Sequence, residues 1–130
     1  MDGKHRELLE ELRTARRVLI VDDHPSFRRC ARTLLASEGF EVVGEAADGA
    51  AALRLADELE PELVLLDIQL PDIDGLEIAS RLHARDPGLR IVLVSSRERC
   101  DYGPLIEASG ALGFVSKADL SGAELASLLE

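Results

Sequence analysis

Short apolar runs alternate with helical patterns along most of the chain, and this alternation limits the folds that it can adopt. The apolar runs are rich in Val, Leu and Ile and are bounded by polar, Gly or Pro residues, as buried strands are. They cover residues 18–21, 41–46, 63–66, 91–95 and 113–115. Because strands that alternate with helices form a parallel sheet covered on both faces, we predict a doubly wound α/β domain with five strands.

Helical patterns fill the intervals between the predicted strands. They run from 25 to a stop at 39, from 49 to 60, from 75 to a stop before 87, from 104 to 109, and from 121 to 129. The fourth is short because Pro104 can open a helix but cannot lie in its interior. The last begins with Ser121 and has Glu124 three residues on, which is the pattern of a capping box.

The length of 130 residues is typical of one domain. We assign residues 17–130 to this domain and residues 1–16 to an N-terminal extension. Within the extension, Leu8, Leu9 and Leu12 form a narrow apolar stripe. That stripe fits an additional helix and a frayed segment equally well.

Composition excludes several classes of function. The net charge of −10 argues against non-specific binding to nucleic acid or to an anionic membrane surface. No apolar run approaches the roughly twenty residues that cross a bilayer, and the N-terminus lacks the apolar centre of a secretory signal. Cys30 and Cys100 are far apart and lack metal-ligand spacing, so we interpret them as reduced thiols. We therefore expect a cytoplasmic protein.

Three carboxylates follow predicted strands directly. Asp22 and Asp23 come after the first strand, and Asp67 comes after the third. In an open parallel sheet, ligands bind beyond the carboxyl ends of the strands, so the three converge if these two strands are neighbours. A cluster of carboxylate oxygens that leaves coordination positions open for water molecules is the kind of site that binds Mg²⁺. Beside such an ion, Asp67 could act as a nucleophile toward a phosphoryl group.

Two further strand ends carry groups that this chemistry needs. Ser95 offers a hydroxyl after the fourth strand, and Lys117 offers a cation for phosphate oxygens after the fifth. Each residue also has an ordinary structural interpretation: an N-cap for Asp22 or Asp23, a turn for Asp67, and a solvated surface charge for Lys117. Their coincidence at four strand ends favours a site.

The motifs around these positions are VDDHPSF, LLDIQLPDIDG, VLVSS and GFVSKAD. Together they resemble the receiver domain of bacterial two-component response regulators over residues 18–129. The resemblance implies a flavodoxin-like fold with five parallel strands in the order 2-1-3-4-5. In that order the first and third strands are adjacent.

The resemblance also implies a role for each site residue. Asp67 matches the phosphoacceptor, and Mg²⁺ would be bound by Asp23, Asp67 and the backbone carbonyl of Gln69, with Asp22 acting mainly through water. Ser95 matches the hydroxyl that follows the phosphoryl group. The phosphate-binding lysine and the switch aromatic correspond to Lys117 and Phe114. A core position is the alternative for Phe114.

A sensor histidine kinase would donate the phosphoryl group, by the same resemblance. Phosphorylation would rearrange the fourth helix, fifth strand and fifth helix as Ser95 moves inward and Phe114 fills the space it leaves. The chain would not be a turnover enzyme; it would catalyse only its own phosphorylation and dephosphorylation. Its partners would be the kinase and a downstream protein target, without membrane binding, and a homodimer stays open.

Three features depart from the family pattern. Ser96 replaces the usual small Ala or Gly beside the phosphate. Gln69 and Arg97 occupy positions that tune the lifetime of the phosphorylated state. Gly103 and Pro104 interrupt the fourth helix, which puts the usual output face in doubt.

The motif DDHP resembles the branch of receivers that precede a helix-turn-helix DNA-binding domain, and SSRERCDYGPL resembles small stand-alone receivers of that branch. The chain stops at Glu130, where the fifth helix would end, without a basic helix. We therefore expect a single-domain receiver that contacts another protein, with a truncated DNA-binding transcriptional regulator as the alternative.

Two other classes of function are weighed against this one. A Mg²⁺-dependent Toprim-type phosphotransfer enzyme or nuclease would need Asp72 and Asp74 as its DxD motif, but these follow Pro71 past the strand end and fit a solvated turn. A scaffold with this fold but no chemistry would not need the acids, the hydroxyl and the lysine together.

Overall fold

A computed structural model describes residues 17–121, 123, 124 and 128. Five parallel strands form one sheet in the order β2-β1-β3-β4-β5, which confirms the predicted fold class and topology. The strands are β1 (Arg17–Val21), β2 (Glu41–Ala46), β3 (Leu63–Asp67), β4 (Arg90–Ser95) and β5 (Gly113–Ser116). Each predicted strand is present, and several extend one residue further than the apolar run because ladder hydrogen bonds continue onto polar residues.

Four helices connect the strands. They are α1 (Pro25–Ser37), α2 (Gly49–Leu59), α3 (Gly75–Arg85) and α4 (Leu105–Ala108). The fourth is as short as Pro104 predicts, and a 3₁₀ turn at Arg99–Asp101 precedes it. Residues Ala123, Glu124 and Leu128 are helical, and the Glu124 N–H donates to Ser121 Oγ at 3.1 Å. The proposed extension, residues 1–16, lies outside the described residues.

The sheet separates two apolar cores. On one face, α2, α3 and α4 cover a cluster that includes Leu19, Leu66 and Leu93. On the other, α1 covers a cluster that includes Ile20 and Leu65. Strands β1 and β3 are central and almost fully buried, as expected for parallel strands covered on both sides. Asp22 and Asp67 are therefore attached to the buried centre of the sheet.

Within the described part of the chain, no helix has both the length and the apolar character needed to cross a membrane.

Candidate functional site

The carboxyl ends of β1 and β3 bring two buried aspartates together. These strands are parallel neighbours with Val21 opposite Leu66, so Asp22 and Asp67 emerge at the same edge of the sheet. Asp22 is 0% exposed and Asp67 is 1% exposed. Because a buried carboxylate is costly unless a cation or a donor faces it, this edge has the character of a functional site rather than of a turn.

Asp23 and His24 complete the cluster on the turn after β1. Asp22, Asp23, His24 and Asp67 each offer one ligand atom, and these atoms lie within 4.8 Å of one another. The His24 Nδ1 atom is 3.0 Å from Asp22 Oδ1 and 3.1 Å from Asp23 Oδ1. Sequence reasoning assigned no role to His24, although its position directly after two aspartates was the available signal.

The suggestion that Asp22 or Asp23 serves as the helix N-cap is wrong. The N-cap of α1 is His24, whose side chain makes no capping hydrogen bond, and Pro25 occupies the first turn. The Asp22 carboxylate instead accepts a hydrogen bond of 2.8 Å from the backbone N–H of His24, outside the helix. The paired acids are therefore not explained by capping.

Two oxygens of the cluster are suited to a cation. Asp22 Oδ2 and Asp23 Oδ1 are buried and meet no hydrogen-bond criterion within the described part of the chain. The nitrogens that face them are Lys117 Nζ at 2.7 Å and His24 Nδ1 at 3.1 Å. Carboxylate oxygens are the ligands that Mg²⁺ prefers, and Asp23 is 34% exposed, which leaves a side open for water. The residues present therefore fit a hard divalent cation.

Lys117 reaches the two buried aspartates from the end of β5. Its Nζ atom lies 2.7 Å from Asp22 Oδ2, which forms an ion pair, and donates to Asp67 Oδ2 at 3.3 Å. The ammonium also lies 4.6 Å from the centroid of the Phe27 ring, within the range of a cation–π contact. The lysine is thus held between α1 and the carboxylates, where it can contact an anion bound at Asp67.

The electrostatic environment opposes the charge of Asp67. Burial raises the pKa of Asp67 above its usual value of 3.8, and the Asp22 carboxylate raises it further. The Gln69 N–H and Lys117 lower this pKa but do not cancel the effect of burial. Burial alone would lower the pKa of Lys117, yet the two carboxylates outweigh it and raise that pKa. Lys117 therefore does not fully offset the effect of burial and of Asp22 on Asp67, and a divalent cation would add positive charge there.

The loop after β3 supplies contacts to the same carboxylate. The Gln69 N–H donates to Asp67 Oδ1 at 3.0 Å, and the Gln69 side chain accepts a long hydrogen bond of 3.4 Å from Ser96 Oγ. Ser96 and Gln69, two of the departures from the family pattern, thus lie together beside the site. The role of the Gln69 carbonyl as a metal ligand stays a prediction.

Gly75 allows α3 to approach this loop closely. A Cβ atom at this position would lie 2.2 Å from the backbone oxygen of Asp67 and 2.6 Å from the Cα of Ile68. Backbone atoms cannot yield as a flexible side chain can, so the start of α3 requires glycine here. The glycine therefore helps to fix the position of Asp67.

Ser95 lies at the buried end of β4 but is directed toward a tyrosine. Its Oγ atom is 2.7 Å from the hydroxyl of Tyr102 and accepts a hydrogen bond of 3.1 Å from the Arg97 N–H. The Tyr102 ring also contacts Phe114, with ring centroids 5.9 Å apart. Sequence reasoning singled out Ser95 and Phe114 and missed Tyr102, because no spacing rule links a residue in an irregular segment to either.

Asp72 and Asp74 have structural partners. Asp72 accepts hydrogen bonds from the N–H groups of Gly49 (2.7 Å) and Ala50 (3.0 Å) at the start of α2. Asp74 is the N-cap of α3 and accepts from the Leu76 N–H at 2.8 Å. Both are exposed, as the turn interpretation predicts, but each also caps a helix. These acids therefore do not form the ligand pair that a Toprim-type site requires.

Comparison with known proteins shows the family. A model of the response regulator receiver domain matches residues 18–129. The response regulator GacA of Pseudomonas aeruginosa is 38% identical over 102 residues, which are 78% of this chain and 48% of GacA. The DNA-binding transcriptional activator EvgA of Escherichia coli is 32% identical over 101 residues, which are 78% of this chain and 50% of EvgA.

A solved structure agrees with these matches. The crystal structure of a LuxR-family two-component response regulator from Aurantimonas sp. SI85-9A1 is 34% identical, with a TM-score of 0.77, and the match covers 85% of this chain and 79% of that one. The chain spans about half the length of the curated relatives that it matches. With its sheet order and its acidic edge, the chain belongs to the response regulator receiver domain family.

Proposed function

We propose that Asp67 accepts a phosphoryl group from the phosphohistidine of a sensor histidine kinase. The observation that carries this proposal is the environment of the Asp67 carboxylate. It is buried at a sheet edge, 3.3 Å from the Lys117 ammonium, within a cluster that includes Asp22 and Asp23. A nucleophilic carboxylate, a fixed cation and a set of metal ligands are the components that phosphoryl transfer needs.

The transfer is a substitution at phosphorus. An oxygen of Asp67 forms a new O–P bond while the N–P bond of the phosphohistidine breaks, and its electron pair returns to the imidazole of the kinase. Lys117 is placed to bind an oxygen of the transferred group as charge develops on it. The attacking group is the ionised carboxylate, and the Lys117 ammonium and the Gln69 N–H, which lower the pKa of Asp67, favour that form against the effect of burial.

Receiver domains use Mg²⁺ at an acidic pocket, and the donor set of this chain fits that ion. Asp23, Asp67 and the Gln69 carbonyl would hold it directly, and Asp22 would contribute mainly through water. Bound there, Mg²⁺ supplies positive charge to the phosphoryl oxygens. Asp22 also keeps Lys117 in place through their 2.7 Å ion pair.

The test is phosphorylation of the purified chain with Mg²⁺, read as one acid-labile phosphate, together with binding of beryllofluoride, which mimics the phosphoryl group. Asp67→Asn should abolish both. Asp57→Asn is a matched control because Asp57 is an exposed aspartate that pairs with Arg85 in another part of the fold. Failure of the wild-type chain to take up either group, or uptake by Asp67→Asn equal to wild type, would refute the assignment.

Response regulators act between histidine kinases and downstream targets, and we propose both kinds of partner for this chain. Phosphorylation would change the surface formed by α4, β5 and the segment after β5, and a downstream protein would bind there. Phosphotransfer from a panel of purified kinases identifies the donor as the one with the fastest transfer. Transfer rates that differ between kinases, together with no transfer to Asp67→Asn, support the proposal. Equal labelling by all kinases contradicts it.

A second candidate follows from the length of the relatives. The chain covers about half of each, and EvgA is a DNA-binding activator, so as the alternative we propose that the chain is the receiver part of such a regulator. We propose that residues 1–130 do not themselves bind DNA, because their net charge is −10. A DNA mobility-shift assay with the phosphorylated chain tests this, and retarded DNA at physiological salt would contradict it.

A further inference from the structure

Ser95 holds its hydroxyl in a defined position through two hydrogen bonds. It is 0% exposed, its Oγ atom accepts from the Arg97 N–H at 3.1 Å, and the same atom lies 2.7 Å from the Tyr102 hydroxyl. A serine hydroxyl has one proton and two lone pairs. With one lone pair used by Arg97, the contact with Tyr102 uses either the serine proton or the remaining lone pair.

Asp67 lies opposite Val94 in the sheet, so Ser95 is the next residue at that edge, and both arrangements oppose its movement toward a phosphoryl group on Asp67. If Ser95 donates to Tyr102, the proton that it would offer to a phosphoryl oxygen is already in use. If Tyr102 donates, Ser95 Oγ accepts two hydrogen bonds, one from the Tyr102 hydroxyl and one from the Arg97 N–H, and both hold it in its present position. Because Ser95 is fully buried, water does not replace the partner that its Oγ atom loses when this contact breaks.

Tyr102 also connects Ser95 to the aromatic residue on β5. Its ring is half-buried and tilted by 53° against the ring of Phe114, which is itself half-buried. Tyr102 follows the 3₁₀ turn at Arg99–Asp101, and Gly103 after it has a φ of +56°. A single residue thus contacts both a strand-end hydroxyl and a neighbouring aromatic ring, from a segment without long regular structure.

We propose that Tyr102 is a positioning residue that holds the Ser95 hydroxyl in the unphosphorylated state, so that phosphorylation must break the Ser95–Tyr102 hydrogen bond. This inference rests on the proposed function of Asp67. Removing the tyrosine hydroxyl takes one hydrogen-bond partner from Ser95 in the unphosphorylated state and none in the phosphorylated state. The variant therefore favours the state in which Ser95 contacts the phosphoryl group.

The test is a titration with beryllofluoride in excess Mg²⁺, followed by NMR of ¹⁵N-labelled backbone amides. Tyr102→Phe keeps the ring and its contact with Phe114 but removes the hydroxyl. We expect its dissociation constant to be roughly three- to tenfold lower than that of wild type, as for the loss of one net hydrogen bond. A variant that merely loosens the fold would bind more weakly, and equal or weaker binding by Tyr102→Phe would overturn the inference.

A double-mutant cycle identifies the partner. In a Ser95→Ala background, Tyr102→Phe should change the dissociation constant by less than about twofold, because the hydroxyl on which it acts is gone. A gain of the same size in both backgrounds would show that Tyr102 acts through another group and would also overturn the inference. Thermal unfolding of all four proteins accompanies the cycle to separate stability from affinity.

Tyr102 provides a direct spectroscopic signal as well, since it is the only tyrosine and the chain has no tryptophan. Beryllofluoride binding should shift the near-ultraviolet absorption of the tyrosine in wild type as its hydrogen bond breaks, and an unchanged spectrum at saturation would contradict the proposal. If wild type does not bind beryllofluoride, the function proposed for Asp67 fails. If wild type binds and Tyr102→Phe matches it, only the role of Tyr102 fails.

Discussion

Asp67 lies at the end of a buried strand, and its carboxylate is almost completely shielded from solvent. Burial raises its pKa above 3.8, and neither Lys117 nor the Gln69 N–H reverses this shift. A group with a raised pKa binds its proton more tightly in the folded state than in the unfolded chain. As pH rises through 3.8 and then through the folded pKa, the ionised carboxylate therefore removes stability from the fold.

Asp67→Asn should consequently stabilise the chain when no metal is present. We expect a higher free energy of unfolding at about pH 7.5 in the presence of a chelator. The advantage should shrink as the pH falls through the folded pKa toward 3.8 and should stay constant below 3.8, where Asp67 is neutral in both states. Urea unfolding at several pH values measures it. Asp57→Asn serves as the control and should change little, and a destabilised Asp67→Asn protein at that neutral pH would contradict the expectation.

At the scale of elements, the helices depend on acids from other parts of the chain. Asp48 caps α2 locally through the Ala51 N–H at 2.8 Å. Asp72 binds the first two N–H groups of the same helix from the loop after β3. These backbone hydrogen bonds lower the pKa of Asp72, with the Gly49 N–H contributing most. The loop that follows Asp67 is therefore tied to α2.

Asp72→Ala should destabilise the chain, because the N–H groups of Gly49 and Ala50 lose the carboxylate that accepts their hydrogen bonds. Because the pKa of Asp72 is lowered, its contribution is present above 3.8 and is lost as the pH falls through the folded pKa. Chemical unfolding at neutral and at acidic pH measures both effects. Glu58→Ala, at an exposed position of the same helix, is the control, and equal losses in the two variants would refute the capping role.

The elements were predictable from the sequence to different degrees. The five strands and the short α4 follow from apolar runs, Gly and Pro, which act locally. The Asp72 cap could not be predicted, because its partners are 23 and 22 residues away and depend on how the loop folds back. The contact between Ser95 and Tyr102 could not be predicted either, because it depends on how the irregular segment after β4 folds, although Ser95 itself was predicted to be a site residue.

At the scale of the whole molecule, the sheet order brings the site together. The alternation of elements indicates a parallel sheet, but the adjacency of β1 and β3 came from the family resemblance, since local patterns do not fix strand order. The structure confirms that order. Once it is known, Asp22, Asp67 and Lys117 meet because parallel strands present their carboxyl ends at one edge.

Binding of Mg²⁺ across β1 and β3 should stabilise the entire domain. At a concentration roughly tenfold above the dissociation constant, the stabilisation is about 1.4 kcal/mol by mass action. Thermal unfolding with Mg²⁺ and with a chelator measures it, and Asp23→Asn should lose most of the difference. Asp57→Asn should keep it. An equal Mg²⁺ effect in Asp23→Asn and wild type would place the ion elsewhere.

The position of Lys117 has a consequence for electroneutrality. Counted as formal charges, the three carboxylates of Asp22, Asp23 and Asp67 and the one ammonium of Lys117 leave two negative charges in excess, which one divalent ion balances. A dianionic phosphoryl group on Asp67 replaces one negative charge by two. With the divalent ion bound, the phosphorylated pocket then carries one uncompensated negative charge close to buried residues. That charge favours the approach of a hydrogen-bond donor or a basic side chain, from this chain or from a partner.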